Sequence, residues 1–177
     1  MKGLPLVSML SRLLRKGPDK KESLRPLWHR VVEIAREKRW YAQCGVADTV
    51  PGRFDAVTMV LALVMLRMER EEALITPSVF LTELFVDDMD GQLRQSGVGD
   101  LVVGKRMGKL MSVLGGRIAA LREGLSDEGP SLAQALERNV TLNEGADTAL
   151  LAREVRKLAA EIGATGADDL LAGQIRR

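Results

Sequence analysis

A chain of 177 residues is long enough to bury its own hydrophobic core, as one domain or one domain with a tail. Its 46% hydrophobic and 28% charged residues exclude a disordered chain, and a single cysteine and a single histidine exclude internal disulfides and the usual zinc sites. The net charge of +2 is unevenly divided, because residues 1–41 carry 11 Lys and Arg against 4 Asp and Glu and the remainder carries 15 against 20. This division indicates a polyanionic neighbour, either anionic lipid or RNA, or else a solvated helical face.

Residues 1–22 are predicted to be a basic arm that precedes a helical domain over 23–177. Within the arm, Leu6 to Lys16 places apolar side chains on one helical stripe, so a helix here would lie on a membrane surface, dock onto the domain or fray. The apolar stretch is too interrupted for a signal peptide, and the chain has no run of about 18 apolar residues. We expect a cytoplasmic protein, and a peripheral location at the inner membrane is a second option.

The next pattern predicts a helix from Arg25 to Gln43 with Gly45 as its stop, followed by a turn-rich connection rather than a strand. Phe54 to Glu69 is apolar all round, which predicts a central buried helix. Its valines leave a buried strand open, although its length favours a helix. Cys44 is expected to be a small buried filler, and His29 a surface or interface residue.

The remaining segments are also helical in period. Thr76-Pro77 reads as a helix start, with threonine as the cap and proline in the first turn. The fold class predicted is all-α, a single domain of about six to eight helices packed around the central apolar helix. The predicted helices in this half are Thr76 to Ser96, Gly104 to Glu123 (with Met111 inside), Pro130 to Val140, Asp147 to Ile162 and Asp168 to Ala172.

Two patterns are weak matches to ligand-binding motifs, one for nucleotide and one for metal. Gly99 to Lys105 fits the spacing of a phosphate-binding loop, but Arg106 replaces the magnesium-binding Ser or Thr and a helix end precedes it, so its glycines are expected to form a turn between helices. The acidic group from Asp87 to Asp90 does not meet the ligand order of a calcium loop and is expected to be a solvated face or to pair with Arg and Lys. We predict no metal, no cofactor and no catalytic residue, with a nucleotide-dependent enzyme as the remote alternative.

Two short groups are candidates for binding. Arg53 and Asp55 flank Phe54 at the start of the central helix, where such residues more often cap or form ion pairs than bind ligands. Trp40 and Tyr41 would be a partner-binding anchor if exposed, although a pair half-buried against the next helix is the commoner outcome.

Four stretches together resemble the ubiquinol–cytochrome c chaperone family. They are Trp40 to Asp55, with its Gly-Val-Ala-Asp-Thr-Val-Pro-Gly-Arg-Phe-Asp block, Phe85 to Asp90, Leu93 to Lys105, and Gly116-Arg117. Their order and spacing match that family's pattern over roughly Leu24 to Leu125. The arm and the region after Gly129 are not covered by these motifs.

The chain also departs from the family pattern. Met59-Val60 stands where the family usually carries Leu-His, Leu114 to Arg117 replaces Phe-Tyr-Gly-Arg, and Arg94-Gln95 replaces Arg-Glu. Losing the histidine and the tyrosine removes two polar contacts, which indicates a member divergent in client or partner. The excess of 18 Arg over 8 Lys suits a bacterium with a GC-rich genome.

The resemblance implies an all-α assembly factor for ubiquinol–cytochrome c reductase that binds an apolar client such as newly made cytochrome b, without catalysis. Mitochondrial relatives contact the ribosome, which does not by itself carry over to a bacterial member. The charge of the basic arm suggests contact with a membrane surface or a ribosome, without specific nucleic-acid recognition. A peripheral membrane-surface adaptor is the alternative. The partner-binding residues that the motifs imply are Trp40, Tyr41, Asp48, Thr49, Arg53, Phe54, Asp55, Asp88, Asp90, Arg94, Asp100, Lys105 and Arg117.

Overall fold

A computed structural model describes residues 20–95, 100–126 and 131–177, with side chains left undescribed at 92–107. Over these ranges the chain forms one 3-10 turn and eight α-helices, which confirms the all-α single domain. Residues 1–19 of the arm predicted over 1–22, including its helix from Leu6 to Lys16, lie outside the described residues, and the boundary at residue 22 stays a prediction. The 3-10 turn is Glu22–Leu24, and the helices are α1 (Arg25–Ala35), α2 (Lys38–Ala42), α3 (Val50–Met68), α4 (Glu72–Gln95), α5 (Asp100–Leu125), α6 (Leu132–Asn139), α7 (Thr148–Ala164) and α8 (Ala167–Leu171).

Helix α3 is the centre of the fold, as its composition predicts. Most of its side chains from Ala56 to Met68 are buried, and α1, α4, α5 and α7 all pack against it. It begins at Val50, four residues before the predicted start, because Thr49 caps it and Pro51 is tolerated in a first turn. A helix surrounded on all sides has to be apolar on all sides, which explains why this segment shows little amphipathic pattern.

The single helix predicted from Arg25 to Gln43 is wrong, because α1 ends at Ala35 and α2 begins at Lys38. Glu37 is extended at the break, with ψ near 130°. Side chains from α2 compensate the break by hydrogen-bonding to the last carbonyls of α1. Gly45 follows with φ of +76°, in agreement with its predicted role as a stop, and an isolated antiparallel bridge joins Val46 to Leu142.

The start predicted at Thr76-Pro77 is also wrong, since α4 begins at Glu72 and carries Pro77 inside it. Proline at the sixth position removes one backbone hydrogen bond, whereas the first turn contributes Leu74, which is buried in the core. Tertiary packing therefore keeps a turn that the local signal would discard.

Helix α5 begins at Asp100 rather than Gly104, so Gly104 lies within a helix and not in a turn. An acidic residue at a helix start is favourable, and a glycine inside a helix costs only about 1 kcal/mol. Of its predicted inner residues Leu114 and Leu121 are buried, but Met111 is 39% exposed, against the prediction that it points inward.

The last helices close the core against α3 and α1. Ser131 and Asp147 cap α6 and α7 with their side chains, and α7 and α8 begin within one residue of the predicted starts, whereas Pro130 lies outside the described residues. One continuous hydrophobic cluster runs from Leu24 to Ile175. In the described ranges, no helix is both long and apolar enough to cross a bilayer.

Candidate functional site

The motif from Gly45 to Asp55 folds as the entrance to α3. The Thr49 hydroxyl accepts a hydrogen bond from the Gly52 amide at 3.2 Å, and Arg53 Nε donates to Asp48 Oδ1 at 2.7 Å. A side chain at Gly52 would place its Cβ 1.9 Å from the Ala47 carbonyl oxygen, so only glycine fits. The hydrogen bond from Arg53 lowers the pKa of Asp48. These residues therefore shape a helix start, with the Asp48–Arg53 pair in solvent.

Asp55 and Arg117 form a buried ion pair between α3 and α5. Their residues are 7% and 8% exposed, and Arg117 Nη2 donates to Asp55 Oδ1. The second carboxylate oxygen accepts from the Thr141 amide at 2.8 Å and from the Thr141 hydroxyl at 2.6 Å. Both carboxylate oxygens are thus satisfied inside the protein, as a buried charge requires.

The rest of the Arg117 guanidinium is satisfied as well. Nη1 donates to the Thr58 hydroxyl, Nε donates to the Asn139 carbonyl at 3.1 Å, and the group lies 5.6 Å from the centre of the Phe54 ring. We call Phe54, Asp55, Thr58, Arg117 and Thr141 the junction network. It joins α3, α5 and the segment after α6, and its polar atoms face one another rather than solvent.

Trp40 and Tyr41 cap the end of α1. Trp40 is fully buried and its Nε1 donates to the Ile34 carbonyl at 2.7 Å, while the Tyr41 hydroxyl donates to the Ala35 carbonyl at 2.7 Å. Burial raises the pKa of Tyr41. Arg177 lies over the Trp40 ring at 5.3 Å, so the indole is covered from this side.

The remaining motif residues belong to α4 and to the start of α5. Asp88 is exposed and Asp90 is partly buried on α4, whereas the side chains of Arg94, Asp100 and Lys105 are outside the described part. The structure therefore brings together Phe54, Asp55 and Arg117. The partner-binding role of all thirteen residues stays a prediction.

Cys44 and His29 behave as their sequence context predicts. Cys44 is 1% exposed, and burial raises the pKa of its thiol, which disfavours the reactive thiolate. His29 is exposed on α1. Within the described ranges, no three His, Cys, Asp or Glu side chains are grouped as metal ligands.

Two open clefts border α4. The first, which we call the α4–α5 cleft, has a volume of about 440 Å³ and is lined by Lys21, Val79, Thr82, Glu83, Val86, Asp87 and Met111. The second, of about 480 Å³, lies between the start of α4 and α8 and includes Pro77, Phe80 and Leu171.

Sequence reasoning missed the α4–α5 cleft. Ile75, Val79, Thr82, Glu83 and Val86 recur at helical spacing on the face of α4 opposite its buried stripe. This second stripe of mixed apolar and polar residues was the feature of the sequence that could have indicated the cleft. Its apolar members make the cleft suited to holding an apolar segment of another polypeptide.

Comparison with known proteins gives a consistent result. The family model described as Ubiquinol-cytochrome C chaperone matches residues 42–177. The crystal structure of the Cbp3 homolog from Brucella abortus is similar, with 31% sequence identity, coverage of 94% of this chain and 94% of that chain, and a TM-score of 0.77. No curated protein matches the chain.

Proposed function

The chain belongs to the ubiquinol–cytochrome c chaperone family, and from this premise we propose that it acts without catalysis on newly made cytochrome b. Membership of the family supports a role as an assembly chaperone for the cytochrome bc1 complex. The match over residues 42–177 is the observation that carries this, because it includes every helix from α3 to α8. The client, its contact surface and the absence of turnover are the proposed parts.

The α4–α5 cleft is the surface that we assign to the client. Val79 and Met111 are 54% and 39% exposed, and together with Val86 they give the cleft an apolar lining that suits an apolar segment of a partner. Methionine adapts to apolar partners of varied shape. Glu83, which is exposed in the cleft, would attract the Lys and Arg residues that flank the apolar segments of a membrane protein.

The junction network supports a non-catalytic role. Its carboxylate and its guanidinium are buried and hydrogen-bonded to partners within the chain, so neither is presented to a substrate. Because these motif residues stabilise the fold, we assign recognition of the client to the apolar cleft instead. A membrane or ribosome contact through the basic arm, and a location in the cytoplasm, stay predictions.

A pull-down tests the client and the surface together. The tagged full-length chain should retain newly made cytochrome b from detergent-solubilised membranes, and Val79→Asp should lose most of this capture because it places a charge in the cleft. Val50→Asp is the matched control, since Val50 is 83% exposed at the start of α3 and does not line the cleft. Capture lost equally in both variants, or normal reductase assembly in a deletion strain, would contradict the proposal.

A further inference from the structure

Helix α5 forms one wall of the α4–α5 cleft through Met111. Its side chains are packed differently before and after residues 115 and 116. Among the described side chains before that point the one buried residue is Leu114, whereas the part that follows buries Arg117, Leu121 and Gly124. The wall of the cleft therefore belongs to the more loosely packed part of the helix.

The later part of α5 is also held by specific contacts. Arg117 belongs to the junction network and so ties the helix to α3, and Arg122 Nη2 donates to Glu69 Oε2 at 2.6 Å. Gly124 lies so close to α6 that a Cβ there would be 3.0 Å from Leu132 Cα. These contacts fix the orientation of α5 from Arg117 onward.

Two adjacent glycines, Gly115 and Gly116, separate the two parts. Both are exposed, and a Cβ at either position would meet nothing within 4 Å in the described part of the chain. Close packing therefore explains Gly124 but not this pair. Glycine is the least favourable residue in a helix interior apart from proline, and sharp bends in helices occur at such pairs. The backbone of α5 is thus weakest between its anchored part and the cleft.

The packing before the pair permits a bend there. Leu114 is 2% exposed, but it lies next to the pair, where a small rotation displaces a side chain least. Leu110 and Val113 are half-buried, and Met111 is 39% exposed. A bend would therefore move the cleft wall while leaving the core contact of Leu114 in place.

We propose that α5 bends at Gly115-Gly116, so that Met111 moves relative to α4 and changes the width of the α4–α5 cleft. Met111 lies about 6–8 Å along the helix from the pair, and a bend of about 20° would move it by about 2–3 Å. The bend is a property of the chain itself. Its use in fitting apolar clients of different thickness rests on the proposed function.

Distances between spin labels in the full-length chain test the bend without any client. Ser112→Cys places a label before the glycine pair and Ala119→Cys places one after it, each combined with His29→Cys on α1. All three positions are exposed, and Cys44 takes up little label because it is buried and its thiol has a raised pKa. The distance distribution from position 112 should be about twice as wide as that from position 119, because only the former lies on the moving part.

Alanine substitutions identify the glycine pair as the cause. Gly115→Ala with Gly116→Ala should narrow the distribution from position 112 to the width found from position 119, because alanine favours the straight helix. Gly108→Ala is the matched control, since this glycine is also exposed with nothing within 4 Å of its Cβ in the described part, but it does not lie between the label and the anchored part. It should leave both widths unchanged. Equal widths at the two label positions in the parent chain, or an equal narrowing by Gly108→Ala, would overturn the proposal.

Capture of cytochrome b separates the bend from the proposed function. The alanine pair should lower capture about threefold, as expected when part of the binding-competent population is removed, and Gly108→Ala should not. A narrowed distribution with unchanged capture would overturn the use of the bend in client binding. Lost capture without narrowing would mean that the glycines contact the client directly, and it would overturn the bend. Failure of Val79→Asp to reduce capture would contradict the proposed function and leave the label distances unaffected.

Discussion

The junction network and the α4–α5 cleft differ in what they bury: the network buries charged side chains, whereas the cleft exposes apolar ones. In the network, Asp55 and Arg117 are less than a tenth exposed and every charged group is hydrogen-bonded within the chain. In the cleft, Val79 and Met111 are apolar side chains that are 54% and 39% exposed. The first region is rich in family motif and closed, whereas the second carries little motif and is open.

This contrast distinguishes the residues that stabilise the fold from the residues available to bind a partner. Thr49, Gly52, Asp55 and Arg117 are specific residue types because each satisfies a geometric or hydrogen-bonding requirement inside the domain. An apolar cleft needs only side chains of suitable size, so many sequences provide it. The recognisable pattern of this chain therefore marks its architecture, and the partner surface must be found by exposure.

The largest effect on stability is expected for Arg117→Ala. Removing the guanidinium leaves the Asp55 carboxylate buried without its charge partner, which should lower the free energy of unfolding by about 3–5 kcal/mol. Chemical denaturation measures the loss. Arg122→Ala is the control on the same helix, because its pair with Glu69 is half-exposed and should contribute about 0–1 kcal/mol. If both variants lost a similar amount of unfolding free energy, the buried ion pair would not stabilise the fold more than an exposed one.

A smaller loss is expected for Gly52→Ala. Its Cβ would meet the Ala47 carbonyl oxygen, and overpacking of this kind costs about 1–3 kcal/mol. The motif glycine Gly116 is the comparison, since a Cβ there meets nothing within 4 Å. Gly116→Ala should raise the free energy of unfolding by about 0.5–1 kcal/mol, because alanine is the better helix former. Thermal unfolding distinguishes the two signs, and a stabilised Gly52→Ala would refute the close approach.

The exposed Asp48–Arg53 pair should have a small effect that depends on pH. The pKa of Asp48 is lowered in the folded state by its hydrogen bond from Arg53, so its contribution is present above the pKa of the unfolded chain and is lost as pH falls through the lower folded value. Asp48→Asn should therefore be slightly less stable than the parent chain at pH 7 and equal to it near pH 2. Denaturation midpoints at the two pH values test this, and a difference that persists in acid would exclude the ion pair as its cause.

The smallest effect on stability is expected in the cleft. Val79→Asp changes an exposed position and should alter the free energy of unfolding by less than about 0.5 kcal/mol, although capture of cytochrome b falls. Thermal unfolding beside the pull-down measures both quantities. A destabilisation comparable to that of Arg117→Ala would show that Val79 belongs to the core and would remove the contrast between the two regions.

Local pattern was sufficient for much of the helical architecture. The all-round apolar character of α3 predicted a central helix, and apolar periodicity placed α7 and α8 within one residue of their starts. It failed where a local signal competed with packing. Pro77 read as a helix start although buried Leu74 extends α4 by one turn, and nothing in the composition from Arg36 to Lys38 marked the break between α1 and α2.

What the sequence by itself determined is the all-helical fold, its buried centre and the family, because periodicity, caps and motif spacing are properties of neighbouring residues. Only the tertiary structure decided that Asp55 meets Arg117, 62 positions away, and that Val79 and Met111 face outward. The physical reason is that burial and the pairing of charges depend on which helices meet. An apolar residue on a helix looks the same in sequence whether a neighbouring helix covers it or the surface leaves it open for a partner.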